Sequence, residues 1–103
     1  MPSADEVRTA RRKALGEAIR QRRLSLGMSQ EQLADRAGIE RKSVSRVETG
    51  AYSPSVDRLW SIGDALDLPP HELLAPTGHK LRDEVGQQAV QPAATGDQPK
   101  SQA

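Results

Sequence analysis

The amino-acid sequence predicts an all-α domain of five helices followed by a tail that takes no part in the fold. Three observations predict it. Apolar residues recur at three- and four-residue steps in successive short blocks between Val7 and Leu74, the period of helices that each bury one stripe. The blocks are punctuated by good start and stop residues: Ser29 and Ser55 as N-caps, Gly27, Gly38 and Gly50 as terminators, and Pro69-Pro70 as a break. The length of 103 residues, 35% apolar with no Phe, one Trp and one Tyr, provides for one small aliphatic core and little more.

Taken in order, Ser3-Ala4-Asp5-Glu6 has the capping-box pattern, Ser with Glu three positions later, so a helix could begin at Ala4. The firm part of helix 1 is Ala14 to Leu26, with Leu15, Ile19 and Leu26 on its apolar side. Residues 1–12 are expected as an arm or a frayed extension of it. Gly27 ends the helix, Met28 plugs the core, and Ser29 caps helix 2, which runs to Ala37 with Glu31 and Gln32 in the first turn. Gly38 supplies a left-handed turn residue. Helix 3 covers about 40–48, with Glu40 at the N-cap where Ser, Thr, Asp or Asn is more usual. Ser55 caps helix 4, whose stripe is Val56, Leu59, Ile62, Ala65 and Leu66. Trp60 on this helix is expected as a core or dimer-edge anchor, wholly or partly buried. Pro70 opens helix 5, His71 to Leu74. The compact domain is therefore 13–76. Residues 77–103 form a tail in which Lys80–Val90 is a weak helix, and QPAATGDQPKSQA is too poor in large apolar groups to fold.

Composition excludes several chemistries. There is no Cys, hence no disulfide, thiolate zinc site or thiol catalysis. The sequence has no run of about 18 apolar residues and no signal-peptide core, so a cytoplasmic protein without membrane contact is expected. His71 and His79 have no companion ligands; no metal, cofactor or enzymatic centre is expected. Net charge is only +1, but it is unevenly distributed. Arg11 to Leu26 carries a balance of +5 and Leu59 to Glu84 a balance of −3, a polarity able to steer one side towards an anion.

The informative stretch is Gln30 to Thr49. Two short helices joined by a tight turn must cross. Crossing requires a small residue at the contact (Ala34), a glycine in the turn (Gly38) and branched apolar anchors behind (Ile39, Val44, Val47). The other side of the second helix carries Arg41, Lys42, Ser43 and Arg46. An apolar underside with a basic, hydrogen-bonding upper side suits a helix held on a small core and presented to a DNA major groove.

From Leu15 to Leu74 the chain resembles the Cro and lambda-repressor-like, or Xre-type, helix-turn-helix family. The resemblance rests on Leu15-Gly16, Ile19-Arg20, Arg23, Gly27-Met28-Ser29-Gln30, Leu33-Ala34, Gly38-Ile39, Ser43-Val44-Ser45, Val47-Glu48, Gly50, Pro54-Ser55, Leu59, Ala65-Leu66 and Leu73-Leu74. It implies a five-helix domain with helix 3 in the major groove, Gln30 touching a phosphate while bracing helix 3, and Arg41, Lys42 and Arg46 facing base edges or phosphates. Ser43 would serve a base or a phosphate, and Tyr52, in the loop after helix 3, a phosphate. Arg23 and Glu48 would form a largely buried ion pair joining helices 1 and 3. Arg22 departs from the pattern, standing where an apolar residue is common, as does acidic Glu40 beside the reading face.

The expected function is a sequence-specific regulator of transcription bound to double-stranded DNA, dimeric on an inverted repeat with half-sites about 34–36 Å apart. It would be nucleoid-associated when bound. The helix 4 to helix 5 surface, with Lys80–Val90, is the candidate dimer contact. Two rivals share the domain: an antitoxin whose tail folds on a toxin or other protein partner, and an interaction adaptor that has lost DNA binding.

Overall fold

The computed structural model describes residues 1–75 of the chain; the expectations for the tail, Lys80–Val90 included, lie outside them. Those residues form α1 (Ala4–Ser25), α2 (Gln30–Ala37), α3 (Arg41–Glu48), α4 (Val56–Leu66) and α5 (70–75), with no strand among them.

The long first helix begins where its cap allows. Ser3 Oγ accepts from the Glu6 amide at 3.1 Å, and the Ser3 amide donates to Glu6 Oε1 at 2.8 Å, so two otherwise orphaned donors are satisfied reciprocally. α1 is thus continuous from Ala4, and the expected division between residues 12 and 13 falls inside it. The extension is held from below as well. Arg12 Nε donates to the Gly50 carbonyl at 3.1 Å, tying α1 to the turn that follows α3. Leu26, expected on the apolar stripe, is instead the C-cap residue and is exposed. At that position the chain leaves the helix, and its own amide donates back to the carbonyls of Arg22 and Arg23.

The core is aliphatic: Leu15 and Ile19 from α1, Met28, Leu33 and Ala34 from the α2 region, Val44 and Val47 from α3, Leu59, Ile62, Ala65 and Leu66 from α4, and Leu73 from α5, with Ile39 packed on its edge. α2 repeats the reciprocal cap, Ser29 with Gln32, and ends on Gly38 at φ 71°. That left-handed step turns α3 across α2.

Of the two places expected for Trp60 the structure excludes the core: the side chain is 53% exposed. α4 turns Leu59, Ile62, Gly63 and Leu66 inward, so Trp60 and Val56, one helical turn apart, share its outer side. Arg22, where an apolar residue was the common choice, has a defined partner. Its Nε donates to the Leu66 carbonyl at 2.9 Å, and Nη2 reaches the Asp67 carbonyl at 3.4 Å, satisfying acceptors left open at the C-terminus of α4.

Candidate nucleic-acid interface

α3 is set by what lies under it. Val44 and Val47 are 1% and 2% exposed and fix the helix to the core. At its C-terminal end, Gly16 of α1 comes so close that a Cβ there would stand 2.3 Å from the Val47 carbonyl oxygen. Only a glycine permits this crossing.

Beneath the same end lies a buried polar junction. Arg23 Nε donates to Glu48 Oε2 at 2.7 Å and Nη2 to Oε1 at 2.9 Å, a two-pronged pair, while Nη1 donates to the Met28 carbonyl at 2.8 Å. Gln30 Nε2 donates to Glu48 Oε1 at 3.1 Å. Glu48 therefore gathers α1, α2 and α3 onto one carboxylate. The hydrogen bond to Glu48 raises the Arg23 pKa above the ordinary guanidinium value, with burial opposing.

The opposite side of α3 is open. Lys42 and Arg46 stand exposed, four residues apart on the outermost line of the helix, with exposed Arg41 at its first turn. Among the described residues none of these three side chains makes an ion pair or hydrogen bond, whereas Arg8, Arg12, Arg22 and Arg23 all do. Ser43 is placed differently. It is half-buried on the flank turned towards α4, lining a cleft with Ile39, Glu40, Asp57 and Ser61. Glu40 occupies the N-cap position of α3, yet its side chain makes no capping bond.

Tyr52 is exposed in the loop before α4, and Arg58 Nη1 reaches its hydroxyl at 3.5 Å. Sequence reasoning passed over Arg58. The signal was a cation in the first turn of α4, three residues after the Ser55 cap, on the side of the helix nearest the loop. Arg12 was passed over too, because its acceptor is a carbonyl 38 residues away. The described residues include no cluster of three or more His, Cys, Asp or Glu able to hold a metal, and no helix long and apolar enough to cross a membrane.

Comparison with known proteins agrees with this construction. A helix-turn-helix family profile matches residues 19–73, more than half of the chain. An uncharacterized HTH-type transcriptional regulator of Methanothermobacter thermautotrophicus is 44% identical over 48 residues, covering 47% of this chain and 70% of that protein. The control protein C.BamHI of Bacillus amyloliquefaciens is 40% identical over 60 residues, covering 57% of this chain and 74% of that one. The crystal structure of the restriction-modification controller protein C.AhdI from Aeromonas hydrophila superposes with a TM-score of 0.59 at 35% identity, covering 60% of this chain and 94% of the other. With an apolar-backed α3, the left-handed turn at Gly38 and the profile match over the same residues, the chain belongs to the helix-turn-helix family of Cro and lambda-repressor-like (Xre) type, and is a DNA-binding regulator of transcription, not an enzyme.

Proposed function

We propose that the chain binds double-stranded DNA in a sequence-specific manner, laying α3 in the major groove, and that it does so as a dimer on an inverted repeat. The observation that carries this reading is the outer line of α3: Arg41, Lys42 and Arg46 project, exposed, from a helix backed by buried Val44 and Val47, without partners among the described residues. Arg46, furthest along the exposed line, is suited to bidentate donation to guanine O6 and N7, a contact worth about 1–3 kcal/mol of discrimination. Arg41 and Lys42, at the helix start, reach base edges or phosphates. Gln30 has one amide N–H on Glu48, which leaves its second N–H at the mouth of α2 to donate to a phosphate. Tyr52 with Arg58 forms a second phosphate contact on the other side of the groove, and Ser43 serves a phosphate from the flank of α3.

A single α3 reads few base pairs, so affinity requires a second subunit. Exposed Val56 and Trp60 on α4 and exposed Leu74 on α5 support a dimer contact from α4 to α5. The regulated genes would be those whose control regions carry the repeat.

Selection of bound duplexes from a random pool at low salt tests the whole reading. A palindromic consensus is expected. If no duplex is enriched, the DNA-binding regulator fails and a protein-interaction adaptor takes its place.

A further inference from the structure

The turn that follows α3 is held from two sides. Its own chain closes α3 with paired backbone bonds: the Ala51 amide donates to the Arg46 carbonyl at 2.9 Å and the Gly50 amide to the Val47 carbonyl at 3.1 Å, with Gly50 in the left-handed region at φ 80°. α1 presses on the same turn from the other side. A Cβ on Gly50 would stand 2.7 Å from Lys13 Cγ and 3.0 Å from Lys13 Cα. Beside Lys13, Arg12 donates from Nε to the Gly50 carbonyl at 3.1 Å and from Nη2 to Thr9 Oγ1 at 3.2 Å, a second bond that orients the guanidinium. The peptide unit between Gly50 and Ala51 is therefore fixed at both of its polar atoms, its C=O by α1 and its N–H by α3.

We propose that Arg12 is a positioning residue for DNA binding, acting through this peptide unit on Tyr52. The inference deepens the function proposed above and rests on it. Only Ala51, Tyr52 and Ser53, all exposed, separate the fixed carbonyl from half-buried Pro54 and the Ser55 cap of α4. Over so short a span, the direction in which the chain leaves Gly50 sets where the Tyr52 hydroxyl lies relative to Arg58, which reaches it at 3.5 Å. A phosphate held by that pair needs the plane that Arg12 maintains. Without Arg12, freedom gained in the unbound loop would have to be lost again on binding, which lowers affinity.

The location of Arg12 supports the assignment. It is half-buried with two of its nitrogens engaged inside the protein, and it lies at the C-terminal end of α3, where a cation is favoured. It also precedes residues 19–73, the part of the chain that the family profile covers. The clamp thus comes from the N-terminal half of α1, the half that the Ser3–Glu6 capping box starts. Unwinding those first turns would lower DNA affinity without touching α3.

A double-mutant cycle on the full chain, with the duplex enriched by selection as probe, tests this. Arg12→Ala is expected to weaken that duplex about three- to tenfold, the worth of one directed hydrogen bond, and to leave the order of preference among variant duplexes unchanged. In a chain already carrying Tyr52→Ala and Arg58→Ala, the same substitution is expected to change nothing. An equal loss in both backgrounds overturns the proposal and gives Arg12 a phosphate of its own or a general role in stability. Leu15, Ile19 and the Arg23–Glu48 pair still hold α1 in the variant, so it is expected to fold, which circular dichroism checks; should it unfold, Arg12→Gln carries the same cycle. A second readout needs no DNA. Tyr52 is the one tyrosine of the chain, so fluorotyrosine gives a single ¹⁹F signal. Arg12→Ala is expected to move it towards the shift of free fluorotyrosine, and an unmoved signal overturns the proposal. If the parent chain enriches no duplex, the DNA-binding reading fails and this inference with it. If the parent binds and Arg12→Ala binds equally well, that reading stands and this inference alone is overturned.

Discussion

Glu48 is the residue on which the position of α3 depends. Two guanidinium N–H groups and the Gln30 amide converge on it, and both partners of the ion pair are 7% exposed. Removing one charge would strand the other in a poorly hydrated site, so Glu48→Ala or Arg23→Ala should destabilise the domain by about 3–5 kcal/mol, measured by urea unfolding. The double replacement Arg23→Met with Glu48→Leu should recover much of that loss, because no unpaired charge remains. Since the Arg23 pKa is raised, its contribution is complete below the ordinary guanidinium value and is lost only above it; moderate alkali should leave the junction intact. Glu40 is the converse case. It stands at an N-cap without capping, so Glu40→Asn should stabilise α3 by about 1 kcal/mol in thermal unfolding. The same change removes an acidic group beside the reading face and should strengthen DNA binding at low salt.

At the scale of elements, the α1–α3 crossing is the tightest contact. Gly16→Ala would drive a methyl group into the Val47 and Glu48 carbonyls, 2.3 and 2.6 Å away, both of them backbone atoms. Ordinary Gly-to-Ala substitution inside a helix gains about 0.5–1 kcal/mol. Here the sign should reverse, and the unfolding midpoint in urea should fall. Much of this architecture was legible in the sequence because its signals are local. Ser3 with Glu6, Ser29 with Gln32, Gly38 in its left-handed turn and the Ser55 cap each act within a few residues. What was not legible depends on long-range placement. The carbonyls that receive Arg12 and Arg22 lie 38 and 44 residues away, and nothing in the local pattern of an arginine says which helix end it will cap. Trp60 was ambiguous between core and dimer edge for a related reason: the α4 stripe through Leu59, Ile62 and Leu66 fills the inner face and leaves Trp60 outside the core. Ser43 is in part a matter of phase: one residue from Lys42, it turns to the α4 flank while Lys42 turns outward.

For the whole molecule, charge and shape have separate roles. The outward cations of α3 and the Arg58–Tyr52 pair should make affinity fall steeply with salt. Lys42→Ala should lower the slope of log K against log salt by about one contact and weaken all sequences alike. Arg46→Ala should instead flatten preference at one base position, read by competition among variant duplexes. Trp60 belongs to this scale too. If α4 forms the dimer contact, Trp60→Glu should shift the sedimenting species to monomer and weaken binding to the inverted repeat while leaving half-site binding unchanged.

The junction beneath α3 also restricts how the sequence can change over time. Arg23 and Glu48 lie 25 positions apart, in different helices. No single codon change can retire the pair without passing through a protein that carries one stranded charge. On the proposed reading of α3, a lineage can therefore vary Arg41, Lys42 and Arg46 one at a time, moving from operator to operator. The two residues that hold the reading helix in place must be inherited, or exchanged, together.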